Sequence, residues 1–297
     1  MRKNKFGLLI IFIGIIIVIY PIIANILVSY TQTNVISGYN EMIEQMEEEQ
    51  ISKELEKARK YNERLNLESE IKVHVEGEEK EEKTSYLNVL NVGEIIGYLD
   101  IPKIDAYLPI YHGTNDNVLQ SGVGHVESSS FPIGEKDTHA VLAGHSGLAR
   151  TKVFDDIDKL QEGDMFFLHM FGEMFAYEIN QIKVVLPEET KDVEIVKDKE
   201  YVTLLTCTPF AINSHRLLVR GERVEGYVIE EQTTEDEKNQ VVAPSQKLEE
   251  KIQKNKKDMY IVVIFTILII IISRFIIIKF RKTKDKKRKK PRISKSN

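Results

Sequence analysis

The chain has 297 residues, of which 42% are hydrophobic and 29% are charged, and its formal net charge is −5. This length allows one or two ordinary domains once two strongly hydrophobic blocks near the ends are set aside. The chain has a single cysteine, which excludes an internal disulfide framework.

The first hydrophobic block covers residues 6–28 and carries no charge. It is long enough to cross about 30 Å of hydrocarbon as a helix. A cleaved signal peptide is the alternative, but it requires a shorter hydrophobic region of about 7–15 residues followed by small residues. We therefore interpret this block as an uncleaved membrane anchor.

The second hydrophobic block covers residues 259–278 and is interrupted only by Arg274 near its far end. A long arginine side chain at that depth reaches the headgroups. A buried core helix is the alternative, but it would need a partner surface on every side. A second membrane helix is the better interpretation.

The cations beside the two blocks predict how the chain is oriented in the membrane. Residues 1–5 contain three Lys and Arg, and the basic tail, residues 279–297, contains eleven. Both termini are therefore predicted to be cytoplasmic, and the part between the spans to be extracellular. The rest of the chain has 27 Lys and Arg against 45 Asp and Glu, and such an acidic region excludes a nucleic-acid-binding role.

Between the spans, residues 29–91 begin with apolar side chains at helical spacing among Glu and Lys. This pattern predicts an exposed amphipathic helix over Ile36 to Leu67, serving as a spacer or as a brace for the next domain. Val75 to Ser85 is highly charged and predicts a mobile loop.

Residues 92–229 consist of short β-branched and aromatic runs separated by Gly, Pro and Asn. Many short strands with turn signals predict a β-sandwich or barrel. The segment "TKVFDDIDKL" predicts a short helix capped by Thr151. Residues 230–258 are polar and predict a tether that leads back to the membrane.

Cys207 lies in "TLLTCTPF", where an apolar run ends before Pro209. A lone cysteine is often an inert apolar residue, but proline cannot continue a central strand, so this thiol lies at a strand end beside a cleft. If the next residues form a hairpin loop, Cys207 faces Arg216 and Thr203 faces Arg220. His215 then points to the opposite face.

A thiol becomes a good nucleophile when a cation or an imidazolium stabilises its thiolate. His145 has the best setting, since it ends "HAVLAGH" and is followed by Ser-Gly. His112 and His125 lie in comparable turns, so position alone leaves these alternatives open. No set of residues has metal-ligand spacing, and no metal site or cofactor is predicted.

Three segments, "TLLTCTPFAINSHRLLVRG", "VLAGHSGL" and "GYLDIPKIDAYLPIYHGT", together resemble the sortases of Gram-positive bacteria over about residues 92–226. The resemblance implies a mainly β fold: a closed eight-stranded barrel with short helices and a Cys, His and Arg triad. It implies that Cys207 is the nucleophile, His145 the general acid and base, and Arg216 the group that holds the oxyanion or orients the substrate. Thr206 is a candidate substrate-binding residue beside the nucleophile.

The second span and the "TCTP" and "HRLLVRG" segments resemble class C sortases, which polymerise pilins. The implied reaction cleaves an LPxTG-like signal at Thr-Gly and transfers the acyl group to a pilin lysine. The implied partners are surface proteins or pilins with sorting signals, an amine acceptor and the membrane. Class C members commonly carry an Asp-Pro-aromatic lid, but this chain has no Asp-Pro dipeptide. The lid-like segment, residues 67–90, therefore inherits no occluding residue.

Two other functions are compatible with parts of these patterns. One is a sortase that anchors surface proteins to a peptidoglycan amine, and the other is a membrane-tethered assembly module without enzymatic activity. A papain-like hydrolase fits poorly, because here the cysteine follows the histidine and "TCTP" is not that family's motif.

Overall fold

The structure is a computed structural model that describes residues 3–71, 86–147, 152–227 and 244–288. Its α-helices are α1 (Lys3–Gln45), α2 (Glu48–Ile71), α3 (Asp116–Ser121) and α4 (Pro244–Arg288). Its strands are β1 (Gly97–Ile101), β2 (Ala106–His112), β3 (Val123–His125), β4 (Thr138–Ala143), β5 (Met165–Met170), β6 (Glu173–Val185), β7 (Glu200–Thr208) and β8 (His215–Arg223).

The eight strands close into a barrel in the order β1-β2-β3-β4-β7-β8-β6-β5. β2 pairs with β3, and β4 with β7, in parallel, while the other neighbours are antiparallel. The predicted eight-stranded barrel is confirmed. The sequence gives no sign of β3, because its three residues are too few to show an alternating pattern.

The barrel core extends onto a stack of aromatic rings beside β3. The ring of His125 lies parallel to that of Phe131 at 4.5 Å, and Tyr86 stacks on both. The Tyr86 hydroxyl accepts a hydrogen bond from the Gly113 amide, so this buried polar group is satisfied. The stack and this hydrogen bond attach Tyr86, which precedes β1 in the chain, to the barrel.

The N-terminal helices differ from the prediction of one helix over Ile36 to Leu67. The helix ends at Gln45 and a new one starts at Glu48, with the Gln50 side chain accepting from the Glu47 amide as in a helix cap. The single-helix prediction is therefore wrong. Both helices contribute to the core cluster, with Ile36, Tyr39, Ile43, Ala58 and Tyr61.

One local prediction near the barrel is also corrected, and one short helix was not predicted. The segment "TKVFDDIDKL" forms turns and a short 3₁₀ helix at Ile157–Lys159, and its predicted cap, Thr151, lies outside the described residues. Helix α3 was missed, although the Asn115 side chain accepts from two amides at its start. The predicted mobile loop, Val75 to Ser85, lies outside the described residues.

The chain divides into two compact units, residues 1–252 and 253–297. The predicted polar tether, residues 230–258, is corrected in its second half, because helix α4 begins at Pro244. In its first turns the Lys247 ammonium forms an ion pair with the Asp100 carboxylate at 2.6 Å. Both side chains are largely buried, and a buried charge needs a partner of opposite sign. The helix is therefore anchored to the barrel there.

Among the described residues, no helix is long and apolar enough to cross a membrane. The spans predicted at residues 6–28 and 259–278 are therefore not confirmed.

Candidate active site

The candidate nucleophile lies near the end of β7, opposite the start of β8. Cys207 pairs with Arg216 and Thr203 pairs with Arg220, which is the register that the hairpin spacing predicted. Directly opposite residues of an antiparallel pair have Cβ atoms about 4.5–5.5 Å apart. Arg216 is therefore the cross-strand neighbour of the thiol.

His145 reaches the same end of the barrel from the other side of β7. Strand β4 runs parallel to β7 with Ala143 beside Leu205, and the Gly144 amide donates to the Leu205 carbonyl at 3.0 Å. His145 follows Ala143 by two residues, as Cys207 follows Leu205. Since neighbouring strands lie about 4.8 Å apart, the histidine backbone arrives beside the cysteine.

The thiol faces the outer surface of the barrel and not its core. Val202 and Leu204 belong to the core cluster, and side chains alternate along a strand, so Cys207 points the other way. Cys207, His145 and Arg216 are each partly exposed. This partial exposure of Cys207 argues against an inert packing role.

The histidines that sequence position left open have structural partners elsewhere. His125 is completely buried, and its Nε2 lies 2.9 Å from the Ser130 carbonyl. The Nε2 of His112 lies 2.7 Å from the Val89 carbonyl. Burial lowers the pKa of both rings, that of His125 to about 4. Of the three candidates, only His145 reaches the end of β7.

Thr206 has a different setting from the one predicted for a substrate contact. Its side chain is buried on the core side of β7, and its hydroxyl donates to the Gly144 carbonyl at 2.7 Å. This bond ties the residue before His145 to the residue before Cys207. The placement of Thr206 therefore favours a role in holding the ends of β4 and β7 together. Substrate binding by Thr206 stays a prediction.

The guanidinium of Arg216 is held over the loop that joins β7 to β8. Its Nη1 donates to the Asn213 carbonyl at 3.2 Å and to the His215 carbonyl at 3.1 Å. Arginine has five N–H donors, so this arrangement leaves others for an oxygen near the thiol.

Sequence reasoning missed Ser146, whose Oγ donates to the Cys207 carbonyl at 2.9 Å. The sequence shows only that a Ser-Gly pair follows His145, whereas this bond attaches the pair to β7. The parallel pairing of β4 with β7 could have indicated the contact, because it brings the two exits side by side. No three His, Cys, Asp or Glu side chains of the described residues are grouped as metal ligands.

Comparison with known proteins places this barrel and site in one family. The sortase domain family matches residues 99–224. Sortase D of Bacillus subtilis is 36% identical over 135 residues, which cover 44% of this chain and 65% of the relative. Sortase A of Bacillus anthracis is 30% identical over 137 residues, 46% of this chain and 62% of the relative. The chain thus spans just under two thirds of the length of these relatives.

Solved structures give fuller coverage. Sortase C1 from Streptococcus agalactiae is 38% identical with a TM-score of 0.60, and the match covers 65% of this chain and 100% of that one. Sortase C of Clostridium perfringens, solved with a C-terminal cell wall sorting motif, is 43% identical with a TM-score of 0.56. The match covers 65% of this chain and 98% of that one. With the same barrel and with the cysteine, histidine and arginine at adjoining strand ends, this chain belongs to the sortase family.

Proposed function

We propose that this chain is a cysteine transpeptidase that cleaves sorting signals on surface proteins and passes the acyl group to an amine. The observation that carries this proposal is the setting of Cys207, on the outer face of the barrel, opposite Arg216 and beside the strand end that bears His145. A nucleophile, a base and a cation at one strand end are the groups that acyl transfer requires.

The proposed chemistry has two steps. The Cys207 thiolate attacks the Thr-Gly carbonyl of an LPxTG-like signal, a C–S bond forms, the C–N bond breaks, and His145 protonates the leaving amine. His145 then accepts a proton from the incoming amine as it displaces the sulfur. Arg216 faces the developing oxyanion, and loss of such a donor typically costs about 10²–10³ in rate.

The acceptor that we propose is a lysine ε-amine of a pilin, which makes the reaction pilus polymerisation. The likeness to the sortase C structures from Streptococcus agalactiae and Clostridium perfringens supports this choice. Anchoring of surface proteins to a peptidoglycan amine is the second candidate, supported by the likeness to sortase A of Bacillus anthracis.

We also propose that the enzyme is held in the cell membrane by residues 6–28 and 259–278, with both termini cytoplasmic. The uncharged first block, the apolar second block and the adjoining cations in the sequence support this arrangement. It places the catalytic barrel, residues 92–229, outside the cell, where sorting signals would be available to it.

Trapping the thioacyl intermediate tests the proposed activity. Full-length protein incubated with an LPxTG peptide should gain the mass of the acyl fragment on Cys207, and Cys207→Ala should gain none. A non-enzymatic assembly module would show no such adduct and would work equally well with Cys207→Ala.

Competition between two amines tests the acceptor. The peptide is offered together with a pilin-derived lysine peptide and an oligoglycine, and the products are separated by mass. Pilin polymerisation predicts transfer to the lysine. Transfer to oligoglycine alone would favour wall anchoring, and hydrolysis without transfer would refute the polymerase.

A further inference from the structure

The short segment that bears His145 is bonded directly to the strand that bears the nucleophile. The Ser146 hydroxyl donates to the main-chain carbonyl of Cys207 at 2.9 Å. This bond joins the residue after the histidine to the cysteine itself, across a sequence separation of 61 residues. The bond therefore restrains the position of Ser146, and with it the backbone of the adjoining His145, relative to Cys207.

A second set of bonds holds the same segment from its other side. The Phe154 amide donates to the His145 carbonyl at 3.0 Å, and the Asp155 Oδ1 accepts from the Gly147 amide at 2.7 Å. A hydrogen bond to an ionised acceptor is about twice as strong as a neutral one. The histidine and the two residues after it are therefore each held by a hydrogen bond: His145 to Phe154, Ser146 to Cys207 and Gly147 to Asp155.

Close packing leaves this segment little room to adjust. A Cβ on Gly144 would lie 2.5 Å from the ring of the buried Phe154, and one on Gly147 would overlap the Phe210 ring. Gly147 also has φ of +79°, a conformation that other residues adopt only with strain. The packing of Gly144 against the buried Phe154 ring and the positive φ of Gly147 therefore restrict both ends of this segment.

We propose that Ser146 and Asp155 are positioning residues that set where the His145 imidazole stands relative to the Cys207 sulfur. This inference rests on the proposed function. Proton transfer requires the base to lie within about 2.6–3.2 Å of its partner, and a misplacement of about 1 Å costs about 10²-fold in rate. Neither residue touches the reacting atoms in this arrangement; each acts through the histidine.

Single substitutions in the full-length protein test this role. Ser146→Ala and Asp155→Ala should each lower kcat for thioacyl formation about 10- to 100-fold, with a smaller change in KM for the peptide. Asp155→Asn keeps an oxygen that accepts from the Gly147 amide and should retain most of the wild-type kcat. Asp158→Ala, an exposed carboxylate three residues further on, is the matched control and should not change kcat.

The rate of alkylation of Cys207 by iodoacetamide at different pH values gives a second measurement. The chain has one cysteine, so the signal is unambiguous. An imidazolium near the sulfur stabilises the thiolate, so displacing His145 should move the alkylation midpoint to higher pH. Ser146→Ala and Asp155→Ala should show this shift, while Asp158→Ala should match wild type.

The outcomes separate this inference from the proposed function. An inactive wild-type protein would refute the transpeptidase, yet the alkylation profiles would still test the positioning role. Wild-type kcat and superimposable profiles for both alanine variants would overturn the inference, and so would an Asp155→Asn variant as impaired as Asp155→Ala. Ser146→Ala removes one oxygen only, so it remains informative even if Asp155→Ala fails to fold.

Discussion

At the scale of single residues, His139 shows how the barrel wall keeps a buried histidine neutral. Its Nδ1 lies 2.8 Å from the Glu194 carbonyl, which can only accept, so Nδ1 carries the proton. Its Nε2 then accepts from the Thr203 hydroxyl at 2.7 Å. Burial, with a smaller effect from Arg220, lowers the pKa of His139 to about 4. The ring thus joins β4 and β7 to the loop before β7.

This pKa predicts that His139 stabilises the fold less as the pH falls. The unfolded chain binds a proton on this ring near pH 6.5 but the folded chain only near pH 4, so the contribution is complete above about pH 6.5 and is lost towards pH 4. A difference of this size corresponds to about 3 kcal/mol. His139→Gln should flatten the decline of Tm between these pH values.

Thermal unfolding from pH 4 to pH 8 checks this prediction. His215→Gln is the control, because that ring is partly exposed, and it should keep the wild-type slope. A wild-type slope in His139→Gln would show that the ring does not titrate as stated.

At the scale of elements, the first turns of α4 are attached to β1 and to the turn that follows it. Lys247 pairs with Asp100, and Lys251 pairs with Asp105 at 2.7 Å, while Leu248 between them is buried. Burial raises the pKa of the Asp100 carboxyl, and the Lys247 ammonium opposes that rise. The carboxylate therefore depends on the helix for its charge partner.

Loss of this partner should be costly. Lys247→Ala leaves the Asp100 carboxylate buried without its ammonium, and breaking a buried pair typically costs about 3–5 kcal/mol. Lys53→Ala, which removes an exposed pair with Glu49, should cost at most about 1 kcal/mol. Urea unfolding of the full-length variants measures both, and equal losses would contradict the anchoring role of Lys247.

At the scale of the whole molecule, α1 and α2 belong to the core of the unit that contains the barrel. Ile36 is fully buried, and Tyr39 donates its hydroxyl to the Ile96 carbonyl and accepts from the Phe171 amide. Burying one such side chain contributes about 1.5–3 kcal/mol. The brace interpretation of the N-terminal segment therefore agrees with its contacts.

Deletion of residues 36–85 should consequently lower the Tm, because it exposes the core that these helices cover. Deletion of residues 75–85 alone leaves both helices in place and should keep the Tm near wild type. Turnover of the shorter deletion then tests whether residues 75–85, the middle of the lid-like segment, inhibit the enzyme, without the loss of stability. An unchanged Tm after the longer deletion would contradict the brace.

Much of the site follows from local sequence. Side chains alternate between the two faces of the strands around Cys207, a proline follows the first strand, and a short loop returns the chain. The pairing of Cys207 with Arg216 could therefore be counted from residue spacing. Hairpins are predictable in this way because both strands and their turn lie in one continuous segment. The interpretation of Cys207 as an accessible thiol at a strand end has the same origin.

Other features were decided by the tertiary structure. Position in the sequence favoured His145 but left His112 and His125 open, and the parallel pairing of β4 with β7 is what brings His145 beside the cysteine. The bonds from Ser146 to Cys207 and from Asp155 to the Gly147 amide were likewise not predicted, nor was the break between α1 and α2. A contact between segments distant in the chain leaves no local period to detect, because it exists only after the barrel has closed.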